Sequence, residues 1–487
     1  MQSRTAAPAQ YHGAAKAAAF ACCIHALVWS FAPPIYFGNL HSDTVEVLSW
    51  ATHWDWGYFK HPPLIVWLFR LLLGAPGSRM VNLLILSQAS VLLSAALIWR
   101  TVRIYASPRA ALTAVVIYLA SPPATYFATQ VNHNSIVIPF GIAICCFGLR
   151  FFEEKQSSDA LLLGIAAGLA LLTKYQAAFF LMTLATIAAV IPGYRWVWRD
   201  VRGYGAALLA LTIFAPHVWW DYEHNWRTLA YASSDRPLRT LADFAAGLNE
   251  LLDGLLMCAV GPALAWLVLG RPHPQRAEGL PFRIGLLLAA TPIAIMIGLG
   301  FLSGQVLRQG WLIPLFPASA IGLALMFRAE REGVAPRAIA WRAIFVSCCN
   351  AAAFAVFLFF RAWSGHAVTA YSLDSAELTE SIQNVWRKQN NGPVLCLQMP
   401  NRSYALGTML HLDPPPLVFD LPMPPHGEAD LSPCRPTGGL IIVPEGEPVN
   451  AVLQAVGLRH ERVSAANYPR IGNNIWTFEL YFVSAER

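Results

Sequence analysis

The chain has 487 residues, 56% of them hydrophobic and 13% charged, with 17 Trp, 26 Phe and a formal net charge of +6. A soluble globular chain carries about a quarter charged residues, so this one has roughly half the charge a water-facing surface needs. That excludes a soluble enzyme and a disordered scaffold, and a positive excess dispersed over short segments excludes a nucleic-acid binder. The sequence reads as an integral membrane protein.

Taken in chain order, apolar stretches of bilayer length occur at about eleven places, with about 20 residues per crossing as the yardstick. They run near Ala17–Phe37, Met80–Trp99, Ala110–Phe127, Ile136–Phe152, Ala160–Leu172, Ala177–Ile191, Gly203–Trp220, Leu252–Leu269, Ile284–Leu302, Trp311–Phe327 and Ile339–Phe360. The first lacks a small-x-small cleavage pattern and runs into Pro33-Pro34, so it reads as a retained helix rather than a signal peptide. Lys and Arg concentrate in alternate connections, including Arg100, Arg103, Arg109, Arg150, Lys155, Arg195, Arg199, Arg202 and Arg271. The longer opposite loops hold few, among them Lys60, Arg70, Arg79, Lys174, Arg227 and Arg308. That asymmetry places the N-terminus in the cytoplasm, and an odd number of crossings sends everything after Arg361 to the outer face.

The expected division is a membrane domain over 1–361 and a small α/β domain over 362–487. The tail is richer in Asn, Asp, Glu and Pro, with strand-like runs at Val394–Leu397, Gly439–Val443 and Thr477–Val483. At roughly 120 residues it can bury its own core. Its aromatics Trp363, Tyr371, Trp386 and Tyr404 read as core packing rather than as sugar platforms. Of nine Cys, seven lie in apolar stretches as small hydrophobes, while Cys396 and Cys434 lie in polar sequence, able to pair if the tail faces an oxidising compartment. No CxxC pair or Cys/His cluster with zinc spacing occurs, so a structural metal site has no support; no cofactor is expected, and a divalent metal stays open.

The first outer loop concentrates chemistry. It carries Asp43 and Glu46, then Trp54-Asp55-Trp56-Gly57-Tyr58-Phe59-Lys60-His61-Pro62-Pro63. Three residues apart, the two acids share a face if the chain is helical there; helix capping at the membrane surface would account for them alone. Lys60 and His61 offer positive charge to a phosphate, and Pro62-Pro63 start the run Leu64–Leu73, too short to span and read as an interfacial or re-entrant helix. Four more outer segments carry polar residues: Asn132-His133-Asn134 after Gln130, Lys174-Tyr175-Gln176, the run from Trp219 through Asp221, His224 and Asn225 to Arg227, and Arg308-Gln309-Gly310-Trp311. A lone Lys at a helix end usually snorkels and an interfacial Trp usually anchors, but these segments share one membrane side. Ionisable groups at that boundary rather than at helix centres argue against an ion-coupled transporter and suit a substrate whose tail stays in lipid.

The pattern Asp43-x-x-Glu46 followed by Trp56-Gly57-Tyr58-Phe59-Lys60-His61-Pro62-Pro63-Leu64 resembles bacterial membrane glycosyltransferases of the GT-C superfamily. Within it, the chain looks like the group related to protein O-mannosyltransferases, which includes the aminoarabinose and galacturonic acid transferases that modify lipid A. Leu172-Thr173-Lys174-Tyr175, Phe214-Ala215-Pro216 through Asn225-Trp226, and Arg308 with Trp311 support it. The resemblance covers about Ala17 to Arg361. It implies a polytopic α-helical GT-C-like protein in the bacterial inner membrane, a polyprenyl-phosphate-linked sugar donor, a lipid or glycan acceptor and inversion at the anomeric carbon. It further implies Asp43 as general base with Glu46 orienting, and Lys60, His61, Arg308 and Lys174 on the donor phosphate. Tyr58, Asn132, His133, Asn134, Tyr175, Asp221, His224 and Arg227 are the expected substrate-binding residues.

Two departures stand out. Many relatives have adjacent Asp-Glu where this chain has Thr44-Val45 between its acids, which leaves Glu46 open as the base. Many carry an Asp where this chain reads Asn132-His133-Asn134. The first loop has no Asp-x-Asp, against the metal-dependent mode of oligosaccharyltransferases. The reading from a different class is a lipid-linked sugar flippase or transporter that uses the same outer face without chemistry.

Overall fold

The structure, a computed structural model, describes residues 8–36, 41–234, 240–269, 273–274, 279–304, 306–328, 335–363, 375–389, 392–394, 396–399, 411–413, 416–420, 439–444, 460–469 and 475–483. In chain order its helices are α1 (Pro8–Phe31), α2 (Pro33–Tyr36), α3 (Ser42–Trp50), α4 (Leu64–Leu73), α5 (Arg79–Tyr105), α6 (Pro108–Leu119), α7 (His133–Glu154), α8 (Ser157–Thr173), α9 (Ala178–Val190), α10 (Val201–Glu223), α11 (Arg227–Ser234), α12 (Leu241–Leu269), α13 (Leu280–Leu302), α14 (Gln309–Leu312), α15 (Phe316–Met326), α16 (Pro336–Trp363) and α17 (Ser375–Gln389). The strands are β1 (His273–Pro274), β2 (Phe327–Arg328), β3 (Cys396–Met399), β4 (Leu417–Asp420), β5 (Gly439–Pro444), β6 (His460–Pro469) and β7 (Ile475–Val483).

A helix occupies each of the eleven apolar places, but among the described residues seven helices are long and apolar enough to cross a membrane by themselves, or eight if the pair Tyr175–Val190 and Pro192–Arg199, bent by 114°, is one span. The short apolar helices α6 and α15 are nearly all buried. Burial within protein is one setting in which the non-helical backbone at their ends is tolerated in a membrane protein. Leu64–Leu73 forms the separate ten-residue helix α4.

Two compact units emerge. The first takes in Met1–Ser30, Trp56–Leu64 and Leu84–Ala351; the second takes in Phe31–Asp55, Ile65–Leu83 and Ala352–Arg487. In the first, glycines let helix backbones touch. A Cβ at Gly164 of α8 would lie 2.7 Å from the Ala206 carbonyl oxygen of α10, and one at Gly168 would lie 2.7 Å from Ile213 Cβ. The Gly164-x-x-x-Gly168 spacing is the small-residue stripe that drives close helix packing in lipid. Gly285 of α13 and Gly322 of α15 meet in the same way, and a Cβ at Gly322 would come 2.9 Å from Ala289 Cβ.

A buried polar triad ties α1 to α16. His25 Nε2 lies 2.9 Å from the Ala124 carbonyl oxygen, so it carries the proton, and Nδ1 accepts from the Ser347 hydroxyl at 2.8 Å. Trp29 Nε1 donates to the same hydroxyl at 3.1 Å. With each group satisfied, the triad carries no burial penalty for an unmade bond.

In the second unit five strands form a mixed sheet in the order β4-β3-β5-β7-β6, with β3 parallel to β4 and β5, and β7 antiparallel to β5 and β6. β3, β5 and β7 lie where strand-like runs are read; β4, β6 and α17 are additional. Thr379, Ile382, Val385 and Trp386 form the buried face of α17, and Trp386 Nε1 donates to the Gly392 carbonyl oxygen at 2.7 Å, as core packing requires. Tyr371, Tyr404 and Cys434 lie outside the described residues, while Cys396 is disulfide-bonded.

Gly322→Ala is expected to overpack the α13–α15 crossing at a cost of about 1–3 kcal/mol. A lowered melting temperature in detergent, set against an unchanged one for the uncrowded Gly298→Ala, checks it.

Candidate functional site

The loop ahead of α4 folds back on itself through a reciprocal backbone pair. Tyr58 N donates to the His61 carbonyl oxygen at 3.1 Å, and His61 N donates to that of Tyr58 at 3.3 Å. Phe59 and Lys60 thus occupy the tip, while Tyr58 is buried. Gly57 is required by close approach, because a Cβ there would sit 2.5 Å from Trp220 Cζ3. Tyr231 of α11 receives this tip: its ring centroid is 5.7 Å from that of Phe59, and Lys60 Nζ lies 5.2 Å above it. Arg227 stands over Phe59 at 5.9 Å.

Against this loop stands the start of α7. Asn132 caps the helix, accepting from Asn134 N at 2.9 Å and Ser135 N at 3.3 Å, and Ser135 closes the capping box. The side chain of Asn132 is thereby engaged by the fold itself. His133 packs its ring 3.9 Å from that of His61. Asn134 Oδ1 accepts from Lys174 Nζ, which the extended backbone at the end of α8 presents. A Cβ at Gly310 would lie 3.9 Å from Asn134 Nδ2, so the segment that begins at Arg308 borders the same group. That segment is pinned by Gln176 Nε2 donating to the Trp311 carbonyl oxygen and by Gln309 N donating to Glu250 Oε2 at 3.0 Å.

Lys60, His61, His133, Asn134 and Lys174, drawn from three separate stretches of sequence, are therefore brought together in the first unit. Burial, followed by the positive charges of Lys174 and Lys60, holds the His61 imidazole well below the ordinary histidine range. The ring is neutral at neutral pH, so it offers hydrogen bonding to an anion rather than the charge expected of it.

The helix pair α10–α11 supplies the rest. Asp221 is 2% exposed, and its Oδ1 accepts from Thr228 N at 2.9 Å, which caps α11. The reversal between the helices uses Asn225 and Trp226 at φ of 58° and 56°, a left-handed pair held by Trp226 N donating to the Asp221 carbonyl oxygen at 2.7 Å. His224 stacks on Trp220 at 4.0 Å, with Nδ1 2.7 Å from the Trp220 carbonyl oxygen. Asp221 and His224 both act on the local backbone.

His217 escapes the sequence reading, although a histidine within an apolar helix is the available signal. Its Nδ1 is 2.8 Å from the Trp56 carbonyl oxygen and its Nε2 2.7 Å from the Tyr175 hydroxyl, which also meets Thr228 Oγ1. Thr228, Tyr231 and Glu250 are likewise absent from that reading, since nothing in their local sequence distinguishes them.

Asp43 and Glu46 belong to the second unit, on α3. Its helical geometry puts them on one face, with Trp50, while Thr44, Val45, Val47 and Leu48 are buried. His41 caps this helix, its Nδ1 accepting from Asp43 N at 3.2 Å; a nitrogen that accepts carries no proton, so its 3.9 Å approach to Asp43 Oδ2 is not an ion pair. The Asp43 side chain is 48% exposed. At the other end, Arg70 Nη1 donates to the Ala51 carbonyl oxygen at 2.8 Å, a cation on the negative end of the helix dipole. The helix also packs on β4.

Residues 60–220 match the family described as dolichyl-phosphate-mannose-protein mannosyltransferase, so the resemblance read from the outer-loop motifs holds over this stretch. Among curated proteins, the chain is 27% identical over 195 residues to lipid A galacturonosyltransferase RgtD of Rhizobium johnstonii, a match covering 39% of this chain and 40% of that protein. It is 24% identical over 293 residues to lipopolysaccharide core galacturonosyltransferase RgtA of the same organism, covering 57% of each. The chain thus spans about half the length of these curated relatives. Among solved structures, ArnT from Cupriavidus metallidurans superposes with a TM-score of 0.57 in the apo state and 0.60 when bound to undecaprenyl phosphate. Identities are 14% and 15%, with 93% of this chain and 96% of that one covered in each case. The chain therefore has the membrane fold of ArnT, a GT-C fold.

Gly57→Ala is expected to push the loop tip off Trp220, seen as faster trypsin cleavage after Lys60 and a lower melting temperature than wild type. His61 should stay neutral at pH 6, as read by histidine-ring NMR against His61→Gln. Because its folded-state pKa is lowered, the sign is fixed: the unfolded chain takes up a proton that the folded ring resists, so stability falls as pH drops below about 6.5.

Proposed function

We propose that this protein is an inverting glycosyltransferase of the bacterial inner membrane that moves a sugar from a polyprenyl-phosphate donor to a lipid A or lipopolysaccharide-type acceptor at the periplasmic face. The observation that carries this reading is the meeting of Lys60, Lys174 and a neutral His61 in a fold like that of a protein crystallised with undecaprenyl phosphate. Two ammonium groups around a buried imidazole favour an anion strongly, because Coulomb interactions strengthen as water is excluded. The disulfide at Cys396 supports an oxidising, periplasmic setting for the tail, with the N-terminus in the cytoplasm.

In the reaction, the acceptor hydroxyl attacks the anomeric carbon while the bond from that carbon to the phosphate oxygen breaks with its electron pair. Asp43 takes the hydroxyl proton and Glu46 orients the acceptor. Lys60, Lys174 and Arg308 stabilise the charge left on the lipid phosphate, and His61 donates a hydrogen bond to it. The excess of cations, with Arg227 beside Phe59, favours a donor sugar that is itself acidic, such as the galacturonic acid moved by RgtD and RgtA, over a cationic amino sugar.

The test is transfer in vitro from synthetic undecaprenyl-phosphate-linked galacturonic acid to purified lipid A. Asp43→Asn should lower kcat about a hundredfold or more while the donor still binds. Lys60→Ala should raise the donor KM. Transport of the lipid-linked sugar with no transfer, unaltered by Asp43→Asn, would instead identify a flippase.

A further inference from the structure

His217 is fully buried on α10, yet its ring nitrogens reach the two segments that carry the cations. Nδ1 lies 2.8 Å from the carbonyl oxygen of Trp56, four residues before Lys60, and Nε2 lies 2.7 Å from the hydroxyl of Tyr175, the residue after Lys174. A carbonyl only accepts, so the proton sits on Nδ1 and Nε2 accepts from the tyrosine. The Tyr175 oxygen then accepts from the Thr228 hydroxyl, in the first turn of α11. Three residues on, the same helix places Tyr231 beneath Lys60. Both nitrogens are engaged, so the ring is not available as an acid or base.

Lys60 and Lys174 both act on His61 as positive charges, so the two segments that His217 bridges are the ones that carry these cations. We propose that His217 is a positioning residue for the donor phosphate: by bonding Trp56 on one side and Tyr175 on the other, it holds together the two backbone segments from which Lys60 and Lys174 project. The inference rests on the reading of those lysines as phosphate ligands. It extends that reading by assigning the placement of those lysines to a residue that never touches the ligand.

The test uses the full chain in nanodiscs with undecaprenyl phosphate as probe. His217→Phe and Tyr175→Phe should each weaken binding about tenfold, the effect of losing hydrogen bonds that order a charged site. In a Lys60→Ala background the same two changes should weaken it by less than about twofold, because no lysine pair is left to place. Equal losses in both backgrounds would make His217 a purely structural residue and overturn the proposal. Wild-type binding by Tyr175→Phe, which lacks a single oxygen atom and retains the ring, would overturn it too. If Lys60→Ala binds as tightly as wild type, the phosphate reading itself falls, and the positioning role falls with it.

Discussion

Every buried backbone amide and carbonyl needs a partner, and several polar side chains of this protein supply one where a helix breaks. A buried group left unmade costs about 1–3 kcal/mol, more than a single satisfied bond returns, so closing each helix break outweighs any other use of a nearby side chain. Asn132 closes the start of α7, Asp221 the start of α11, Gln176 the carbonyl of Trp311, and His217 that of Trp56. Lys174 stands where α8 ends in extended backbone, and Arg308 where α14 begins. The breaks thus bring these groups together: an uninterrupted helix would offer no direction in which to aim them.

The electrostatics of the two units differ in sign. The first gathers Lys60 and Lys174 around an imidazole that burial and their charges keep neutral. The second carries Asp43 and Glu46 on the less buried face of a helix held at its end by Arg70.

Much of this was legible in the sequence because it depends on local pattern. Low charge content and repeated apolar runs identify a membrane protein. The three-residue step from Asp43 to Glu46 puts both on one face of α3, and the outer-loop motif points to the family matched over 60–220. Local pattern was less reliable where a helix is shortened from within. Several apolar runs of apparent spanning length, such as the one that contains α6, end in tight turns buried among neighbours. Hydropathy counts residues and does not register where the chain turns.

The sequence by itself determined the solvent in which this chain folds, the places of its helices and the residue types in the segments that join them, since each follows from composition and short-range periodicity. Only the tertiary structure decided which polar residues bond backbone nearby and which reach segments far away in the chain. Asn132, Asp221 and His224 bond backbone nearby, whereas Lys174 meets Asn134 forty positions away and His217 meets Trp56 across 161. The protonation state of His61 was fixed at the same level, because its burial and the field of the distant Lys174, added to that of its neighbour Lys60, exist only once the chain has closed around it.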